Sequence, residues 1–404
     1  VNPDVGAAAR TVELGALGFD RGAHVLVKRA LASVDVGASV AVRGSAPELA
    51  IHLAAWARAE GHSIERADGA ELRIVRGRAQ AGRWSGAKLA GECDARAPGA
   101  VVEAAPAEWG LAARGATVED GAPSFEFALA AKREVWADDI GALLAQAMAS
   151  QWDPAVAIPW DAPLAHSGEL EDALVQVLTY LIENETAALV VPARFAARVH
   201  PHYREVMQLL AVQAGDEARH IEVFTRRATL RRKRLGLSTA GGQASLKTLV
   251  DEPDFALASL LLSVLGEGSF VNLLWFLHEH APDACTKAIM KLTAQDEARH
   301  VAFGVAHLAR QAREDSTLVA RMAAAIERRH DLLRHTAGLN AEVFDALIVL
   351  AARGFDPEPI ARGHEAVVEL TRQMHAGRRN RLRLLGFGAE QAEALSGLHT
   401  RNFM

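Results

Sequence analysis

At 404 residues, half of them hydrophobic, the chain can bury a large core and divide into two or three domains. Its formal net charge of −6 excludes a general affinity for nucleic acid. Cys93 and Cys285, the 2 cysteines, exclude a disulfide framework and a four-thiolate iron site.

The first predicted domain covers residues 1–78. It alternates a helix over 24–34, the strand Ser39–Arg43, a helix after Pro47 running to Glu60, and extended segments in SIERA (63–67) and ELRIVRG (71–77), with Gly37, Gly61 and Gly69 as punctuation. This order resembles the small TusA-like sulfur-carrier fold, a two-layer α/β sandwich, with Gly37 and the stretch from Trp56 to Gly61 as landmarks. That family's active Cys-Pro pair falls at Asp20-Arg21, so the resemblance implies a docking or structural role rather than sulfur transfer.

Residues 79–134 are rich in Gly, Ala and Pro with little periodicity and are expected as linker and loops. From 135 to 404 the patterns are helical. A helix over about 134–150 leads into QWDPAVAIPWD, whose prolines and tryptophans predict an extended segment laid against the helices that follow. Those helices are expected at 168–199, 201–234, 254–280 and 282–313, with Pro192 bending or ending the first, and three or four more reach Met404. No uninterrupted apolar run approaches about 18 residues and no cationic leader precedes an apolar stretch, which predicts a cytoplasmic chain without a membrane partner.

The second and fourth of these helices carry the same pentapeptide, Asp-Glu-Ala-Arg-His, at 216–220 and 296–300. Each copy sets Glu and His three residues apart on one helical face, the spacing of a metal-ligand pair. Each is preceded by a helix with a glutamate in an apolar stretch, Glu183 in LTYLIENET and Glu267 in LSVLGEGSF, so a helical hairpin is repeated. Gapless alignment of 178–183 with 262–267 selects Glu183, with Glu185 as second choice because it falls opposite Ser269. An antiparallel four-helix bundle would point Glu183, Glu217, His220, Glu267, Glu297 and His300 into one core. Four carboxylates balance two divalent ions, whereas the same four buried alone would repel. Oxygen and imidazole donors favour iron or manganese over a structural zinc. Asp216 and Asp296 stand one turn before their histidines, where they could accept the second ring proton, and Arg219 and Arg299 could pair with them across the bundle.

These motifs, with the Glu267-Gly268-Ser269-Phe270 patch, resemble the ferritin-like carboxylate-bridged di-iron oxygenases over about 165–312. The resemblance implies a ferritin-like four-helix bundle, core 168–313, within an α+β but mostly helical chain. It also implies two iron ions, with manganese or a mixed Mn/Fe pair as alternatives.

Several smaller signals carry expectations of their own. Gly266 and Gly268 flank Glu267 inside a helix, where they either leave room beside the metals, permit a π-bulge or allow close packing; Gly304 leans toward an open pocket. Phe224, Phe270, Trp275, Phe276 and Phe303 line a cavity or fill the core. Phe224 stands where ribonucleotide reductase small subunits carry a radical tyrosine, which leaves Tyr180 as the candidate redox or supporting residue. His278 is too far along its helix from Glu267 to share a metal and reads as a helix-end residue. Six cations between Arg226 and Arg234 read as a solvated face or as the docking site of a ferredoxin or flavin reductase.

The function expected is oxidation of an organic small molecule by dioxygen, through hydroxylation, desaturation or N-oxygenation, in a protein that forms a homodimer. Ferritin- or rubrerythrin-like ferroxidase or peroxidase activity, and a non-enzymatic metal-binding scaffold, are the alternatives.

Overall fold

The computed structural model describes residues 10–66, 71–79, 82–334 and 341–398; Gly69 and the end of the chain at Met404 lie outside them. The chain forms two compact units, residues 1–88 with 117–122, and residues 89–116 with 123–404.

In the first unit β1 (Thr11–Glu13), α1 (Ala23–Ala32), β2 (Ser39–Arg43), α2 (Leu49–Ala59), β3 (Ser63–Arg66) and β4 (Leu72–Val75) follow one another. The sheet order is β1-β2-β4-β3, with β1 parallel to β2 and both other pairings antiparallel. Val27 and Leu31 of α1, Leu53 and Ala57 of α2, and Val40, Val42 and Ile74 of the sheet share a buried core. Asp20 and Arg21 form a one-turn 3-10 helix, Phe19–Arg21, closed by Gly22 at φ 101°.

In the second unit the helices longer than one turn are α3 (Ile140–Ala149), α4 (Gly168–Ala196), α5 (Arg204–Ala228), α6 (Ala240–Val250), α7 (Phe255–His280), α8 (Ala284–Glu314), α9 (Leu318–Leu333), α10 (Ala341–Ala352), α11 (Pro357–Leu384) and α12 (Ala389–Gly397). Short connections at 197–203 and 281–283 fold α4 on α5 and α7 on α8 as antiparallel hairpins. Side-chain caps fix the starts: Ser167 accepts from the Leu170 amide, Asp254 from Leu257 and Asp283 from Thr286. Pro192 lies inside α4, which ends four residues later. Helices α10 and α11 cover α4 and α7 respectively.

Residues 89–116 and 123–134, expected as linker, have little regular structure but are built into this unit. Arg114, buried, pairs with Glu205 at the start of α5, and the Tyr203 hydroxyl donates to the Ala130 carbonyl at 2.9 Å. Two helices are long and apolar enough to cross a membrane, Gly168–Ala196 and Phe255–His280, although no such run was expected. Their most apolar windows are 67% and 83% buried within the protein, because both line the bundle interior.

Candidate metal centre

Four helices converge on one buried cluster. Glu185 comes from α4, Glu217 and His220 from α5, Glu267 from α7, and Glu297 and His300 from α8. All six are buried. Their ligand atoms form two overlapping sets, Glu185, Glu217, His220 and Glu297, and Glu217, Glu267, Glu297 and His300, within each of which the atoms lie within 4.8 Å of one another. Glu217 and Glu297 belong to both sets, so the geometry is that of two adjacent sites with shared carboxylates, and it could bind a metal pair.

Glu183, preferred from the sequence, is not in this cluster. It is partly exposed and lines a groove with Thr186, Ala187 and Lys247, while Glu185 takes the inner position. Two residues subtend about 200° on a helix, so only one of the pair can face the core. The buried stripe of α4 runs Leu178, Leu181, Glu185, Ala188. The gapless alignment failed because Leu260–Glu267 is π-helical. Its wider turns put Glu267 in register with Glu185 rather than Glu183.

The unsatisfied atoms test whether metal ions fit. Glu185 Oε1, Glu217 Oε1, Glu267 Oε2, both oxygens of Glu297 and His300 Nδ1 are buried and have no hydrogen-bond partner. His300 Nδ1 is only 3.1 Å from Glu217 Oε1 yet makes no hydrogen bond with it, as expected of donors aimed at a common centre rather than at each other. Burial, reinforced by the charges of Glu217 and Glu297, pushes Glu185 well above the usual carboxylate range, and burial with Glu297 does the same to Glu267. Burial opposes charge on His220 and His300, but Asp296 with the glutamates around His220, and Glu217 with Asp216 around His300, hold both rings well above the ordinary imidazole value. The cluster thus attracts positive charge, as protons or as metal ions. The residues present fit a pair of divalent ions.

The histidines are oriented from behind, with partners exchanged between the motifs. His220 Nε2 lies 3.0 Å from Asp296 and His300 Nε2 lies 3.2 Å from Asp216. The expectation that each aspartate serves its own histidine is corrected, since in an antiparallel pair the aspartate of one motif faces the histidine of the other. Nδ1 of each ring is left facing the glutamates. Arg219 bonds Asp216 at 2.5 Å and Asp296 at 3.0 Å, and Arg299 bonds Asp296 and reaches Asp216 at 3.5 Å, so each arginine serves both motifs.

Sequence reasoning missed three contributors. Gln151 donates to Asp216 at 2.9 Å and Trp152 Nε1 to Asp296 at 2.8 Å, both from the QWDP segment that was expected merely to lie against the bundle. Gln213 donates to Glu267 at 2.8 Å; it stands one turn before Glu217 on the same face, which is the signal that could have found it.

A cavity of about 20 Å³ opens beside Glu185, Glu267 and Glu297, lined also by Asn184, Ala188, Leu249, Leu262, Gly266 and Phe270. Phe270 is the one expected aromatic that lines it; Phe224, Phe276 and Phe303 are core and Trp275 is 42% exposed. Tyr180 is buried beside Phe270, ring centroids 5.7 Å apart, and is not among the clustered ligand groups. Gly268 and Gly304 mark close packing rather than open space, because a Cβ would meet the Arg381 guanidinium at 2.4 Å and Ser263 Cβ at 2.5 Å respectively. The cationic run is mostly engaged: Arg227 is fully buried against Glu171 and Asp283, Arg226 lies over Trp160, Arg231 bonds the His166 carbonyl and Arg232 pairs with Asp172.

No family model matches the chain, and no curated protein does. Solved structures of R2-like ligand-binding oxidases match. A valine-to-isoleucine variant with an aerobically reconstituted Mn/Fe cofactor is 16% identical at a TM-score of 0.47, covering 62% of this chain and 93% of that one. A glycine-to-leucine variant with an aerobically reconstituted Fe/Fe cofactor is 16% identical at 0.46, covering 65% and 93%.

Proposed function

We propose that the chain is a di-metal oxidoreductase that uses iron, manganese or a mixed pair and dioxygen to oxidise an organic small molecule. The observation that carries this reading is the pair of overlapping ligand sets built on Glu217 and Glu297, with five unsatisfied carboxylate oxygens aimed inward. One ion would be held by Glu185 and His220, the other by Glu267 and His300, with Glu217 and Glu297 serving both. When bound, the pair supplies electrons and Lewis acidity for the reduction of dioxygen.

The chain's own residues supply orientation and exclusion. Asp216 and Asp296 hold the Nε2 protons of the facing histidines and so keep the Nδ1 lone pairs toward the glutamates. Burial opposes charge on both aspartates, but His300 with Gln151 at Asp216, and His220 with Arg299 and Trp152 at Asp296, hold both below the ordinary carboxylate value. Leu249, Leu262 and Phe270 exclude bulk water from a cavity of about 20 Å³, which has room for one water- or dioxygen-sized molecule and not for an organic substrate. The substrate must therefore approach from outside this space.

Hydroxylation, desaturation and N-oxygenation all use these parts. Where the substrate does not supply every electron, a ferredoxin or flavin reductase would, and a cytoplasmic homodimer is the proposed assembly. The first unit, whose β-α-β-α-β-β order supports the TusA-like reading, would serve docking.

Aerobic reconstitution with ferrous iron tests the reading. About two ions per chain should bind, with one round of oxidation, no mineral, and further turnover only with an organic substrate. Continuous oxidation of many ferrous ions with ferric mineral accumulating would instead establish the ferroxidase alternative.

A further inference from the structure

We propose that the groove between α6, α7 and α9 binds the anionic group of an organic molecule with an apolar body, and that Arg329 is its counter-ion. The groove has a volume of about 390 Å³, within the range of small-molecule pockets. Its walls are mainly apolar, with Ala244, Leu261, Ala325, Leu332 and Leu333 among them. Arg329 lines it, yet the residue is only 6% exposed. Its Nε and Nη2 donate to the neutral hydroxyls of Thr248 and Ser245, both at 2.8 Å, and no carboxylate lies within ion-pair distance of it among the described residues. Nη1 makes no hydrogen bond there either.

A guanidinium withdrawn from water without an anion is costly, and burial lowers the Arg329 pKa to about 10. The acids of the groove do not relieve it. Asp251 pairs with Lys247, and Glu252 caps its own turn by accepting from the Asp254 amide. Arg328 adds a further cation at the exposed edge. On α11 Arg378, which donates to Ser269, is lowered by burial and by the charges of Arg381 and Arg329, so the surroundings of Arg329 include a second buried cation. A ligand carboxylate would complete a bidentate pair with the guanidinium.

The groove and the small cavity at the metal centre are lined by consecutive residues of α6 and α7. Thr248 and Leu261 line the groove, and the next residues in the chain, Leu249 and Leu262, line the small cavity at Glu185, Glu267 and Glu297. An anion fixed at Arg329 would lay its apolar body over Leu261, Leu332 and Leu333, with Leu249 and Leu262 standing between it and that cavity. As an identification of the substrate class this rests on the di-metal reading; as a binding site it does not.

The test uses the full chain free of metal, with decanoate, 1-decanol and decylamine as probes in calorimetric titrations. Decanoate should bind, and at least roughly tenfold more tightly than either of the others. Arg329→Met should weaken decanoate by roughly tenfold or more while leaving decanol unchanged, and Arg329→Lys should recover part of the loss. Should Arg329→Met fail to fold, the comparison of probes on the natural chain decides, with Ala244→Trp expected to weaken decanoate by narrowing the groove. Equal affinity for decanoate and decanol, or a folded Met variant with undiminished decanoate binding, overturns the proposal. Decanoate binding that requires metal and ignores Arg329 also overturns it, and leaves the di-metal reading standing. A chain that binds decanoate through Arg329 but loads no metal supports the anion site and sinks the di-metal reading alone.

Discussion

Glu183 and Glu185 differ by two positions and by their entire environment. Glu185→Ala should lower bound metal from about two ions per chain to one or fewer, whereas Glu183→Ala, altering a partly exposed side chain, should leave the content unchanged; elemental analysis of the purified variants reads this directly. Asp296→Asn replaces an anion that accepts from His220, Trp152 and Arg219, and should weaken metal binding about 10–100-fold in competition titrations with a chelator. At the same scale, Arg227 holds Glu171 and Asp283 at distances of 2.7–3.0 Å in a site closed to solvent. Burial works against both carboxylates, but Arg227 outweighs it and holds them below their ordinary values. Their stabilisation is therefore present above the unfolded-state carboxylate range near pH 4 and is lost as pH falls through the depressed folded values. Arg227→Met leaves Asp283 buried without an ion-pair partner and Glu171 with His166 alone, and should cost about 3–5 kcal/mol at pH 7. In the variant those carboxyls should take up protons more readily, so urea unfolding should show the penalty shrinking as pH is lowered toward about 4.5.

The π-helical stretch Leu260–Glu267 sets which face of α7 the glutamate occupies, and it is bounded by close contacts rather than by space. Arg381 donates to the Val264 carbonyl at 2.7 Å, within that stretch, and its guanidinium fills the volume beside Gly268. Gly268→Val should displace the guanidinium and break that bond, costing on the order of 1.5–3 kcal/mol in urea unfolding. Deleting Ser263 should remove the extra residue that the wide turns accommodate and rotate Glu267 by about 100° relative to the helix before it. Metal content should then fall toward one ion per chain while helical circular dichroism is retained. Two ions bound in the deletion variant would show that the register of α7 does not set the site.

For the whole molecule, every ligand group lies in the second unit, which begins its chain at residue 89 rather than at 135. A protein comprising residues 89–404 should fold and bind about two metal ions per chain. One starting at residue 130 loses Arg114 and leaves Glu205 buried without its main partner, and should be less stable by about 3–5 kcal/mol in urea unfolding. Equal stability of the two would show that residues 89–116 only decorate the bundle.

The sequence alone determined the four bundle helices, the hairpin repeat and five of the six clustered side chains, because a Glu-x-x-His pair on a helix and an isolated glutamate in an apolar run are local patterns with fixed geometry. It also determined two helices and three strands of the first unit, which fall within a residue or two of their expected places, but not β1, three residues long and without a pattern of its own. Only the tertiary structure decided between Glu183 and Glu185, since the π-helical register of α7 depends on how that helix packs and leaves no period in the sequence. Packing likewise decided that the aspartates exchange histidines, that Gln151 and Trp152 reach them, and that Arg227 is a buried tie rather than part of a cationic face. Each of these joins residues 56 to 144 positions apart, and such pairings follow from the antiparallel arrangement of helices, which no single segment contains.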